Sequence, residues 1–139
     1  MTASDEIGLV WFRRDLRLDD NPAWAGATAQ HRFVVPLFVI DPRLVAGVGP
    51  YRRRQLLATL QALDYELAGS GGRLLIRTGD PVRVVPETAA ALNAGALFWN
   101  NDVSPFAVTR DAKVEAGLHV PVHRWWGGVV HAPGTVLTA

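Results

Sequence analysis

Short apolar runs recur along the chain, each separated from the next by a segment of helical periodicity. Ile7–Phe12 is continuously apolar, as expected of a strand buried on both faces of a parallel sheet. Asn21 followed by Pro22 reads as an N-cap with proline at the first helical position, opening a helix over 22–29. Phe33–Ile40 is a second run, rich in β-branched residues, and Asp41-Pro42 stops it. Over 51–68 the residues Leu56, Leu57, Leu60, Leu63 and Leu67 recur at three and four, and Gly69 to Gly72 end that helix. A third strand is predicted over 73–78. Asp80-Pro81 repeats the cap-plus-proline signature for a helix over 81–93, and 96–99 is a short fourth strand. Ser104-Pro105 opens one more helix to about residue 117, 120–125 is the last strand, and 126–139 reads as an irregular tail.

Strands alternating with helices at this spacing suit right-handed crossovers. The predicted fold is α/β, a doubly wound, Rossmann-like parallel sheet of five strands, with 1–139 read as one domain. Ligands in such sheets bind beyond the carboxyl ends of the strands, so the informative residues follow each strand directly. Those are Arg13 to Asp15, Asp41 to Arg43, Gly79-Asp80, Asn100 to Ser104 and His123 to Trp126.

Composition narrows the function. The formal net charge of +1 leaves no surplus of cations for electrostatic nucleic-acid binding, although arginine outweighs a single lysine, Lys113. The absence of cysteine excludes disulfides and thiolate metal sites and fits a reducing compartment. No apolar run approaches the roughly 18 residues of a membrane span, and 1–6 lacks the basic start of a signal peptide, so the expected location is cytoplasmic. His119 and His123 flank Pro121 in a strand-like segment, so they would not share a face as metal ligands, and no metal site is expected. Gly47-Val-Gly49 lacks the third glycine of a dinucleotide fingerprint.

Among candidate binding residues, Arg13 follows the first strand and can project into the crevice. Its neighbours Arg14 and Arg17 against Asp15, Asp19 and Asp20 read as an internally neutral cluster that locks a loop. Arg52, Arg53 and Arg54 start a helix, where positive charge opposes the macrodipole and an anionic ligand would compensate it. Asn100, Asp102 and Ser104 offer polar groups to the edge of a heterocycle, with Ser104 also placed as a helix cap. Trp11 and Trp99 lie in strands and are assigned to the core.

The segment Leu9-Val-Trp-Phe-Arg-Arg-Asp-Leu-Arg-Leu-Asp-Asp-Asn-Pro-Ala23 closely resembles the opening of the DNA photolyase and cryptochrome family. The likeness continues in order through Val35-Pro-Leu-Phe-Val-Ile-Asp-Pro42, Gly72-Arg-Leu-Leu-Ile-Arg-Thr-Gly-Asp-Pro81, Asn100-Asn-Asp-Val-Ser-Pro105 with Arg110-Asp111, and His131-Ala-Pro-Gly-Thr-Val-Leu137. It implies an N-terminal α/β domain whose carboxyl edge holds a light-harvesting antenna chromophore. Arg52 stands where the family often has a pocket arginine, and Phe38 and Asp41 fall within the second string, completing the candidate set. Ser104 replaces a glutamate of some deazaflavin-binding members, and Ala107 leaves no carboxylate where folate-type members use one. A deazaflavin or FMN is therefore expected over a folate.

The resemblance also implies that FAD and the DNA lesion belong to a helical domain supplied in cis or in trans. This stretch alone is expected to have no catalytic residue and to repair no DNA. Two other readings remain open: a small nucleotide-binding α/β protein, which lacks its phosphate loop here, and a ligand-free module that docks on a separate helical subunit. Trp24, Gln55 and the string Trp125-Trp126-Gly127-Gly128 depart from the family pattern and would mark the docking surface.

Overall fold

Each helix begins with proline in its first turn, where the missing N–H has no helical partner to lose. In the computed structural model, which describes residues 6–126, the elements are β1 (Ile7–Phe12), α1 (Pro22–Gln30), β2 (Phe33–Ile40), α2 (Pro42–Val45), α3 (Pro50–Ala68), β3 (Leu75–Thr78), α4 (Pro81–Leu92), β4 (Ala96–Asn100), α5 (Pro105–Ala116) and β5 (Val122–Trp125). Asn21, Asp80 and Ser104 cap α1, α4 and α5 with side-chain oxygens that accept backbone N–H bonds, as the sequence indicates. Asp41-Pro42 does more than end a strand: it is the same cap-plus-proline device and starts α2. The tail over 126–139, including the string 131–137, lies outside the described residues beyond Trp126, as does most of 1–6.

The sheet has the order β3-β2-β1-β4-β5 with every pair parallel. The chain winds outward from β1 through β2 to β3, then α4 carries it back to β4 on the other side, so the winding reverses at β1. A crevice opens there at the carboxyl ends of the strands. Pro36 is tolerated inside β2 because β3 pairs with β2 only from Leu37 onward. On that side β2 is still an edge strand at Pro36, where a missing N–H can be accommodated.

Alternate residues of the central strands feed two cores. Leu9, Trp11, Leu37, Val39, Leu97 and Trp99 pack under α4 and α5, against Val84, Val85, Ala89 and Val114. Val10, Phe12, Phe38, Ala96 and Phe98 pack on the opposite face, under Ala23 and Ala27 of α1 and Leu60, Leu63 and Leu67 of α3. Trp11 and Trp99 are both buried and meet edge to face at 5.4 Å.

The unusual tryptophans are structural. Trp24 packs on Phe12 with ring centroids 5.9 Å apart. Trp125 stacks on Phe98 at 6.0 Å, and a Cβ added at Gly26 would come within 2.7 Å of its ring, so that glycine gives α1 room to cross β5. Both rings are half-buried and pack against the core on the α1 side of the sheet. Gln55 is exposed and donates to the Tyr51 hydroxyl at 3.1 Å. Among the described residues no helix is long and apolar enough to cross a membrane.

Candidate ligand cleft

The turn that leaves β1 is locked by buried polar groups. Arg13 donates from Nη1 to Asp111 Oδ1 at 2.8 Å and from Nη2 to the Asn100 carbonyl. Its guanidinium lies over the rings of Trp11 and Trp99, 4.6 and 5.8 Å from their centroids, and its side chain is only 8% exposed. Burial lowers its pKa from the ordinary arginine value, and the Asp111 carboxylate opposes that shift. Asn100 donates to Asp15 Oδ2 and to Asn21 Oδ1 at 2.7 Å while its Oδ1 accepts the Ala23 N–H at 3.1 Å. Arg17 closes the loop onto the carbonyls of Asp19 and Asp20 at 3.2 Å each. The loop is thus locked as the sequence suggests, but chiefly through amides and carbonyls rather than by arginine–carboxylate pairs within the cluster.

Beside this frame a cleft of about 300 Å³ opens at the carboxyl edge. Trp11, Phe12 and Phe38 at the ends of β1 and β2 line it from below, Leu44 and Val45 of α2 with Val48 and Leu56 form one wall, and Phe106, Ala107 and Arg110 of α5 form the other. Arg14, Asp41, Asp102 and Ser104 add polar groups around the apolar surface. The N-terminal residue of α4, Pro81, also lines it, and α5 begins beside it, so two helix N-termini bias the space toward electron-rich groups. A concave, mainly apolar space with a few polar groups is the form of a small-molecule site. A more open groove of about 720 Å³ runs between α5 and β5, lined by Val108, Asp111, Glu115, Arg124 and Trp126.

The structure divides the sequence candidates. Phe38, Asp41, Asp102, Ser104 and Arg13 all line the cleft. Asn100 does not: its side chain is spent on Asp15, Asn21 and Ala23, and its role is to tie β4 to the β1 loop. Arg52 is also outside the lining, exposed one turn before Leu56 on the same row of α3. Leu44 and Val45 of α2 line the cleft instead. Sequence reasoning missed those two residues, Val48, Phe106 and Arg110. Recognising Asp41-Pro42 as a helix start would have exposed the first two, and reading α5 at a spacing of four from Phe106 would have reached Arg110.

Two carboxylates of the cleft are held ionised. The Arg43 guanidinium, bonded to both Asp41 oxygens at 3.1 and 2.8 Å, lowers the Asp41 pKa below the usual carboxylate value. The Ser104 N–H, accepted by Asp102 Oδ1 at 3.0 Å, lowers that of Asp102, helped by the charges of Arg14, Arg13 and Arg110. A depressed folded-state pKa gives stability that is present above the unfolded pKa and lost as pH falls through the folded one. Asp41→Asn should therefore flatten the acid limb of stability below about pH 4. Urea unfolding measured from pH 6 to pH 2 checks this, and an unchanged acid limb would show that Asp41 does not contribute to it.

The parallel five-stranded sheet, with a cleft at its carboxyl edge, defines a Rossmann-like α/β domain. A family model described as DNA photolyase matches residues 8–139, and this chain belongs to that family, corresponding to its N-terminal α/β domain. It is 43% identical over 137 residues to an uncharacterized 31.6 kDa protein of Synechococcus sp. PCC 6716, covering 95% of this chain and 48% of that protein. It is 37% identical over 135 residues to a deoxyribodipyrimidine photo-lyase of Synechococcus sp. PCC 6301, covering 94% of this chain and 28% of the relative. Among solved structures, a Synechocystis cryptochrome superposes with a TM-score of 0.84 at 27% identity, covering 91% of this chain and 28% of that one. An archaeal photolyase of Sulfolobus tokodaii, described with two FAD molecules and a novel light-harvesting cofactor, superposes with a TM-score of 0.75 at 29% identity over 85% of this chain and 29% of its own. The chain therefore spans less than half the length of these relatives.

Proposed function

We propose that this domain binds a light-harvesting chromophore in the cleft between α2 and α5, and works with an FAD-binding helical domain in cis or in trans. The observation that carries this reading is the cleft itself: apolar walls from α2, α3 and α5 at the carboxyl edge, with polar groups from Asp41, Asp102 and Ser104. A planar heterocycle fits such a space, its faces against Leu44, Leu56 and Phe106 and its edge toward Asp102 and Ser104. The second flavin of the Sulfolobus tokodaii photolyase is a precedent for a flavin-type occupant. Ala107 lines the cleft without a carboxylate, which favours a deazaflavin or FMN over a folate. When bound, the chromophore would collect near-ultraviolet or blue light, and in an intact protein that energy would serve FAD-dependent repair of pyrimidine dimers. The chain's own part is to hold and orient the ring and keep water from its faces. DNA would be met only through the helical domain.

Titrating FMN and an 8-hydroxy-5-deazaflavin against the protein tests the assignment. Asp102→Ala should weaken binding by about tenfold or more, the loss of a hydrogen bond to a charged group. Leu56→Arg should abolish it by placing a charge in an apolar wall. Equal affinity in wild type and Asp102→Ala would remove Asp102 from the site, and full binding by Leu56→Arg would place the ligand elsewhere.

A further inference from the structure

Among the described residues, one face of α3 is left uncovered by the rest of the fold. Leu60, Leu63 and Leu67 are buried and Leu56 is half-buried, which fixes the side of the helix that faces the sheet. On the opposite side Tyr51, Arg54, Ala58, Gln61, Ala62 and Tyr65 are all exposed, and their spacing of three and four makes a second stripe. Tyr65 is 84% exposed and Tyr51 66%, with Leu57 on their flank at 56%. The stripe runs along about 21 Å of helix, with alanines where a second helix could approach closely. Tyrosine suits such a contact, since its ring packs on a neighbour while its hydroxyl keeps a polar partner.

The charges of α3 indicate the partner. Arg52, Arg53 and Arg54 stand near its start, where no residue is acidic, and Asp64 and Glu66 lie toward its end, where none is basic, so the helix is charged against its own dipole. Among the described residues Arg52, Arg54 and Glu66 have no ion pair, Arg53 reaches only the Val45 carbonyl at 3.3 Å, and Asp64 is held by Arg73. A second α3 laid antiparallel would bring its acidic end beside these arginines and set each helix start against the other's carboxyl end. The stripe is also symmetric about Ala58: Tyr51 and Tyr65 stand seven residues to either side of it, and Gln55 and Gln61 three. A two-fold axis at Ala58 therefore sets tyrosine against tyrosine, glutamine beside glutamine and alanine on alanine, the self-complementary pattern that a symmetric contact requires. Alanine at the axis lets the two helix axes approach to about 8 Å.

We propose that the outer face of α3 is a self-association surface, pairing antiparallel with α3 of a second copy of this chain across a two-fold axis at Ala58. Arg52, Arg53 and Arg54 of one copy face the end of the other that carries Glu66, so the arginines gain between chains the counter-ion they lack within one. None of the stripe residues lines the cleft, so the pairing needs no ligand there. One helix face is smaller than a standard protein–protein interface, and the association is accordingly weak, with a dissociation constant of about 10–100 µM.

Sedimentation equilibrium from about 5 to about 500 µM should show the average mass rising toward twice that of one chain. Ala58→Arg should weaken the pairing at least about tenfold, with the unfolding temperature within about 3 °C of wild type because the site is exposed. Glu66→Arg and Arg52→Glu should each weaken it about threefold or more, and the double variant should regain most of that loss, since opposite charges then meet again across the axis. The chain has no cysteine, so mild oxidation of single-cysteine variants reads the geometry directly. Ala58→Cys should cross-link to its own copy, whereas Tyr65→Cys, whose copies lie at opposite ends of the pair, should not. A chain that stays monomeric to about 500 µM overturns the proposal and leaves the face to a different partner, such as a helical domain. A dimer indifferent to Ala58→Arg, or one that cross-links as readily through Tyr65→Cys as through Ala58→Cys, overturns the antiparallel pairing of α3.

Discussion

Asp111→Ala is expected to lower the unfolding free energy by about 3–5 kcal/mol, because it strands the Arg13 guanidinium in the interior without its counter-ion. Arg13 cannot escape by losing its proton, since arginine stays charged even with a lowered pKa. Nor can it swing to solvent without giving up Trp11, Trp99 and the Asn100 carbonyl. Urea unfolding at neutral pH measures the loss. The double variant Arg13→Met, Asp111→Leu should recover much of it, because removing both charges also removes their desolvation cost. A loss below about 1 kcal/mol in Asp111→Ala would show that the pair behaves like an exposed one.

The second large effect concerns Asn100, which looks like a ligand-binding residue in sequence and a structural tie in space. Asn100→Ala takes the acceptor from the buried Ala23 N–H and cuts the tie to Asp15 and Asn21, whose oxygens keep the Asn21 Nδ2 and Trp24 N–H donors. One unsatisfied buried group costs about 1–3 kcal/mol, so the variant should be destabilised by about that much. Chromophore affinity, measured well below the unfolding temperature, should change less than about threefold. A stable Asn100→Ala protein with weakened ligand binding would reverse the assignment.

The strands and four of the helix starts could be read from the sequence because they rest on local rules. Buried strands such as Ile7–Phe12 are continuously apolar, and cap-plus-proline pairs at Asn21, Asp80 and Ser104 announce helices without tertiary help. The family resemblance, carried by ordered strings, is matched by the family comparison. What stayed hidden were partnerships across the fold. Asn100 and Asn21 are 79 residues apart and Arg13 and Asp111 are 98 apart, so no spacing rule links them. Trp125 looked unusual because its match is an absence of side chain, Gly26, on a different element. Leu44 and Val45 stayed hidden because α2, a helix of four residues, reads in sequence only as the end of a strand.

That the cleft between α2 and α5 holds a chromophore is tested most directly by an absorption spectrum of the protein purified from a deazaflavin-producing host, with mass analysis of whatever it releases. The expected result is a near-ultraviolet or blue band from one flavin-type molecule per chain, lost in Leu56→Arg. A colourless protein that also fails to take up added FMN and deazaflavin would contradict it.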